Sequence, residues 1–219
     1  MISFPASSWQ GALVEKTKTQ KTGKSPRRAA DPTYGRAATL ILPRLYLADL
    51  FTASNEAQLA QLGITHVVSV MEFAPSFPPT VNTLHIPVAD LPETDILRHL
   101  ENTTTFISDA LGSSEDSKVL VHCFQGISRS ATVVCAYLLA TTPMSPAQSL
   151  AFVKAKRGIV EPNVGFKRQL AVYGKQFEVE KTKAAEEKRT RSFKLGDALS
   201  KYLAPSKSAT GKKPSSSGS

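Results

Sequence analysis

Nowhere in the 219 residues do some twenty apolar side chains run together, the length that a membrane-spanning helix needs. The longest apolar stretch, Val133–Ala140, is far shorter and carries Tyr137, so no span is encoded. Cysteine is scarce. Cys123 and Cys135 are the only two, enough for one disulfide at most. If the segment between them is helical, a rise of about 1.5 Å per residue holds them roughly 18 Å apart, too far for a bridge. The N-terminus, MISFPASSWQ, has no basic residue ahead of an apolar stretch and contains Pro5, unlike a secretory signal. Ile2 stands where N-myristoylation needs glycine. Free thiols in a reducing compartment, the cytoplasm or nucleus, are expected. His66, His85 and His99 lack the spacing of zinc ligands, and neither a metal nor a cofactor is expected.

The formal charge of +9 is not spread along the chain. Residues 1–38 carry +5, residues 39–178 carry −2 and residues 179–219 carry +6. A basic balance often signals nucleic acid or an anionic membrane. Here it belongs to the two ends, so no nucleic-acid partner is expected for the middle. Residues 1–38 are rich in Lys, Thr, Ser, Ala and Pro without periodicity and read as a disordered basic arm. Residues 179–219 read as a basic tail. Its Leu195, Leu199 and Leu203 suit one short helix, before a Ser/Lys/Gly/Pro-rich disordered end.

The middle, residues 39–178, reads as one domain of alternating strands and helices. Short β-branched runs predict strands at Ile64–Val70, Thr83–Val88 and Lys118–His122. Helices are predicted at Ser54–Gly63, Thr94–Leu111, Ser130–Ala140, Ser145–Arg157 and from an Asn163 cap to Glu178. Ser145-Pro146 is a cap followed by proline at the first helical position, and Thr94 is a possible cap for its own helix. This alternation predicts an α/β fold with a central, mainly parallel twisted sheet and helices on both faces.

The segment KVLVHCFQGISRSATVVCAYLLA, Lys118–Ala140, carries the chemistry. An apolar strand ends at His122, Cys123 follows, and a five-residue loop from Phe124 to Ser128 leads to Arg129 and a helix. Ligands bind at the carboxyl ends of strands in such sheets. The N-terminus of a helix offers free backbone N–H groups and a positive dipole end to an anion. Gly126 permits the tight turn that points those groups inward. Arg129 offers a planar fork to two phosphoryl oxygens. A thiol in so positive a site is favoured as the nucleophilic thiolate. The plainer alternative is that Cys123 is a small buried hydrophobe at a strand end.

HCFQGISRS fits the His-Cys-x5-Arg-Ser signature of the cysteine-dependent protein tyrosine phosphatases. The run Gly-Ile-Ser-Arg-Ser-Ala-Thr with Ala136-Tyr137-Leu138 resembles their dual-specificity branch. The resemblance extends from Leu45-Tyr46-Leu47 to Tyr173. It takes in Ile86-Pro87-Val88-Ala89-Asp90, Val153-Lys154 with Arg157, and Pro162-Asn163-x-Gly165-Phe166 with Gln169-Leu170. It implies a protein phosphatase acting on phosphotyrosine and phosphoserine/threonine through a cysteinyl-phosphate. Cys123 would be the nucleophile and Asp90 the general acid and then base. Arg129 would bind the phosphoryl oxygens, together with the loop residues Phe124, Gln125, Gly126, Ile127 and Ser128. Ser130 would hydrogen-bond the departing sulfur. Periodicity alone does not separate Asp90 from Glu93 and Asp95; the Ile-Pro-Val-x-Asp match does.

His122 is expected to orient the loop. Asn163 either buttresses the loop or caps the last helix. Arg157 either lies on a solvated helix face or helps to bind a second anion. With only 38 residues ahead of the domain, the chain resembles the small, stand-alone members. Phosphorylated proteins are the expected partners. In the tail, Lys188-Arg189-x-Arg191 followed by Phe193-x-Leu195 resembles the peptides that dock on MAP kinases. Other readings are a phosphatase of phosphoinositide, RNA 5′-phosphate or glycan phosphate, and a phosphoprotein-binding module without turnover. The first is disfavoured by the absence of extra lysine inside the loop, the second by intact Cys123, Arg129 and Asp90.

Overall fold

The computed structural model describes residues 36–178. Residues 1–35 of the proposed arm, the leucine-spaced tail helix and the kinase-docking pattern lie outside the described residues, whereas 36–38, counted with the arm, are described, and Ala37 O accepts from Arg157. Five strands form one sheet: β1 (Thr39–Leu42), β2 (Leu45–Ala48), β3 (His66–Val70), β4 (Asn82–Ile86) and β5 (Val119–His122). Their order is β1-β2-β5-β3-β4, with β1–β2 antiparallel and the other pairs parallel. The helices are α1 (Leu50–Ala53), α2 (Glu56–Leu62), α3 (Leu97–Ser113), α4 (Arg129–Thr141), α5 (Pro146–Lys156) and α6 (164–178). This is the mainly parallel α/β sheet that the strand–helix alternation predicted.

Side-chain alternation along the strands divides the interior in two. Val68, Val119 and Val121 enter a large core with Leu138, Phe166 and Leu170. Val67 and Leu120 face the other way, into a smaller cluster with Leu59 and Ile64. β5, central and wholly buried, ends at the residue before Cys123. It therefore delivers the thiol to the carboxyl edge of the sheet. Helix α4 is buried along nearly its whole length, which fixes the direction in which its N-terminus points.

Local chemistry accounts for most helix ends. Asn55 caps α2, and Gly63 closes it at φ 69°. Ser145 caps α5 in a reciprocal pair with Gln148, with Pro146 at the first position. Helix α3 is different. It opens at Leu97, and Thr94 does not cap it. Gln169 of α6 does: its Oε1 accepts the N–H groups of Ile96 (2.9 Å) and Leu97 (2.8 Å), and its Nε2 donates to Thr94 O (2.8 Å). The β1–β2 hairpin was not predicted. Its turn, Pro43-Arg44, lacks the usual glycine or asparagine, and Arg44 adopts φ 67°. The Arg44 side chain donates to Ser114 O at 2.6 Å, a long-range contact that helps hold this conformation.

Candidate active site

The loop from Cys123 to Ser128 joins β5 to α4. Gly126 sits at φ 68°, and a Cβ there would fall 2.5 Å from Ala48 O and 2.8 Å from Arg157 Nη2. Only glycine fits the turn, for both conformation and space. The turn brings the Gly126 N–H to 3.2 Å from Cys123 Sγ, and the Ser130 hydroxyl donates to the same sulfur at 3.1 Å. The sulfur is thus solvated by two donors although Cys123 is only 1% exposed. The backbone N–H groups of Gln125, Ile127 and Ser128 have no acceptor among the described residues. Donors left free at the opening of α4 make an anion cradle.

Arg129 is buried beside this cradle and fixed from one side. Its Nη1 donates to Glu72 Oε2 (2.5 Å) and to Val88 O (3.2 Å). Its Nε is buried without a hydrogen-bond partner among the described residues, and the nearest anion is Asp90 Oδ2 at 3.8 Å. An unpaired buried guanidinium N–H is costly unless a ligand completes it. Glu72 was missed by sequence reasoning. It lies two residues past β3, 57 residues from its partner, and no local pattern marks it. A backbone hydrogen bond, helped by Arg129, holds its carboxyl below the usual glutamate range.

Asp90 is positioned over the loop by two side chains. Its Oδ1 accepts from Ser128 Oγ (2.6 Å) and from Asn163 Nδ2 (2.8 Å). Asn163 also accepts the Phe166 N–H (2.9 Å), so it caps α6 and holds the acid with the same amide. Its own N–H donates to Ser128 Oγ at 3.2 Å. One residue thus caps α6 and also contacts the loop at Ser128. Gly165 lets α6 approach the acid's loop: a Cβ there would lie 1.9 Å from Pro92 O.

His122 is fully buried beneath the loop. Carbonyls only accept, so its Nδ1 carries the proton toward Cys123 O (3.3 Å) and Nε2 accepts from Ser69 Oγ (2.7 Å). Burial pushes its pKa down to about 4, which keeps the ring neutral. Cys135 lies inside α4 in the core, and burial raises its thiol to about 12. Both cysteines are free. No group of three or more His, Cys, Asp or Glu is placed to hold a metal ion among the described residues.

The expectation for Arg157 needs correction. Arg157 is 4% exposed, neither on a solvated face nor open to a second anion. Its Nε donates to Gly126 O (3.1 Å), and its Nη1 to Ala37 O (2.9 Å) and Thr39 Oγ1 (3.1 Å). It supports the loop from behind and ties it to the start of the hairpin. The sequence placed it among surface lysines, where nothing local distinguished it.

These features define a class: an α/β protein whose strand-to-helix loop presents one thiol inside an anion cradle, under a carboxylate. Comparison with known proteins makes this specific. The family described as "Dual specificity phosphatase, catalytic domain" matches residues 45–176. Dual specificity protein phosphatase 15 of Rattus norvegicus is 39% identical over 140 residues, covering 64% of this chain and 58% of that protein. Dual specificity protein phosphatase 22 of Homo sapiens is 37% identical over 141 residues, covering 64% and 76%. The crystal structure of DUSP15 superposes with a TM-score of 0.63 at 36% identity, covering 70% of this chain and 97% of that one. The chain belongs to the dual specificity phosphatase family. It matches less than two thirds of the length of the first of these relatives.

Proposed function

We propose that this protein is a phosphatase of phosphorylated proteins, cleaving phosphotyrosine and phosphoserine/threonine through a cysteinyl-phosphate. One observation carries the reading: Cys123 Sγ lies between the Gly126 N–H and the Ser130 hydroxyl, in a loop where the backbone N–H groups of Gln125, Ile127 and Ser128, and Arg129 Nε beside them, have no partner among the described residues. In the first step the thiolate attacks phosphorus. The S–P bond forms as the ester P–O bond breaks, and Asp90 gives its proton to the leaving oxygen. Arg129 and the loop N–H groups hold the three equatorial oxygens as charge builds on them. In the second step Asp90 takes a proton from water as that water attacks phosphorus. The S–P bond breaks, and the two donors on the sulfur stabilise it as a leaving thiolate.

Turnover of p-nitrophenyl phosphate by the full chain, and its loss in Cys123→Ser with binding of a phosphate analogue retained, is the test. Tight binding of a phosphopeptide without turnover would make it a binding module instead. Charge stabilisation comes here from the chain's own groups, so activity should survive EDTA.

Among phosphoproteins the reading extends to MAP kinases. It rests on the tail pattern Lys188-Arg189-x-Arg191 with Phe193-x-Leu195, where clustered charge steers encounter and two apolar anchors fix register. A 185–200 peptide should bind a MAP kinase and lose binding in Phe193→Ala/Leu195→Ala; equal salt-sensitive binding by both peptides would refute docking. The cytoplasm or nucleus is the compartment such a thiolate needs, and imaging of the tagged chain checks it.

A further inference from the structure

Among the described residues, seven large apolar side chains are between 46% and 58% exposed. Scattered singly, such residues need no explanation. Here most are chain neighbours of site groups, and the rings of Phe51 and Phe124 meet. Phe124 is in the phosphate loop itself. Phe51 follows Leu50, whose N–H donates to Phe124 O (3.2 Å), and its ring stands 6.4 Å from that of Phe124. Phe73 follows Glu72, the partner of Arg129. Leu91 follows Asp90, and Val164 follows Asn163, which holds Asp90. Five of the seven are thus in the site or one residue from a group bonded into it; Leu40 and Val172 are the other two. The Arg36 guanidinium lies 5.1 Å above the Phe51 ring and limits its freedom.

Charge around the same loop is already committed. Glu161 donates its N–H to Ile127 O (3.0 Å), and its carboxylate takes hydrogen bonds from both Lys154 and Lys167. Arg157 is spent behind the loop. Among the described residues, a polyanionic ligand would therefore find few uncommitted cations around the loop, Arg36 over Phe51 aside. The nucleophile is 1% exposed. A phosphoserine or phosphothreonine carries its phosphorus on a short arm, whereas phosphotyrosine carries it beyond a rigid ring that can rest on apolar walls.

Building on the phosphatase reading above, we infer that the rim formed by Phe51, Phe73, Leu91, Phe124 and Val164 is a specificity site, selecting phosphotyrosine flanked by apolar residues. The rim buries the aryl ring and the neighbouring side chains while the cradle takes the phosphate. Burial of a flanking apolar side chain contributes enough to change kcat/KM by about tenfold.

The test uses the full chain and four substrates. They are a phosphotyrosine peptide with Leu/Val neighbours, the same peptide with Ser/Gly neighbours, the phosphothreonine form of the first, and a soluble short-chain phosphatidylinositol phosphate. The kcat/KM of the first should exceed that of each other by about tenfold or more. In Phe51→Ala/Phe73→Ala, whose side chains are more than half exposed and do not carry the fold, the apolar-over-polar preference should fall toward unity. Equal rates on phosphotyrosine and phosphothreonine, indifference to the neighbours, or preference for the lipid would overturn the specificity site while leaving a phosphatase. Absence of turnover on all four and on p-nitrophenyl phosphate would overturn both readings.

Discussion

Asp90 shows how one carboxylate is made ready for its work. Ser128 and Asn163 both bond Oδ1, which leaves Oδ2 facing Arg129 Nε at 3.8 Å. Asp90→Ala should lower kcat on a phosphotyrosine peptide by about 10²–10⁴. Asn163→Ala should lower it less, by freeing the same oxygen. The Asp90→Ala defect should shrink with a leaving group that needs no proton; steady-state kinetics on an aryl phosphate series read this. His122 gives a prediction about stability. Its folded pKa, lowered to about 4 by burial, lies below the usual 6.5. Between these values the unfolded chain binds a proton that the folded chain does not. Stability should rise with pH across that window and be lost as pH falls through it, by about 3 kcal/mol. Urea midpoints from pH 4 to 7 should show this slope, and His122→Gln should flatten it. At this scale His122, Cys123, Arg129 and Ser130 stood out because adjacent residues write one loop and one strand end, and Asp90 stood out only through the Ile-Pro-Val-x-Asp resemblance. Glu72 and Ser69 were not, since each meets its partner across more than 50 residues.

At the scale of elements, the loop is held from behind as much as from within. Arg157, at the end of α5, spans Gly126 O and the start of β1. Arg157→Lys keeps the charge but loses the fork. It should lower the melting temperature and reduce kcat/KM equally for singly and doubly phosphorylated peptides. A selective loss on the doubly phosphorylated peptide would restore the second-anion role. Gly165→Ala should push α6 off Pro92, two residues from the acid, and cost about 1–3 kcal/mol with a fall in kcat. Elements with local signals were readable: the Ser145-Pro146 start and Gly63 end match the sequence. The start of α3 and the β1–β2 hairpin were not. Gln169 caps α3 from more than 70 residues away, and the Arg44 turn is anchored at Ser114.

Across the molecule, two cores on opposite faces of one sheet fix the carboxyl end of β5, and elements remote in sequence converge there. Residues 72, 90, 123–130, 157 and 163 meet at one cradle because the strand order places β5 between β2 and β3. Cys135 is excluded from this chemistry by the core around it, so native protein at neutral pH should take one equivalent of alkylating agent, on Cys123. Denaturation should release the second thiol to labelling. The central claim is covalent catalysis at Cys123, and a rapid-quench reaction with labelled phosphotyrosine substrate tests it most directly. The account predicts transient phosphate on the Val119–Arg129 tryptic peptide, abolished in Cys123→Ser and prolonged in Asp90→Ala with a leaving group that needs no proton. Turnover with no label on that peptide, or label unaffected by Cys123→Ser, would contradict it.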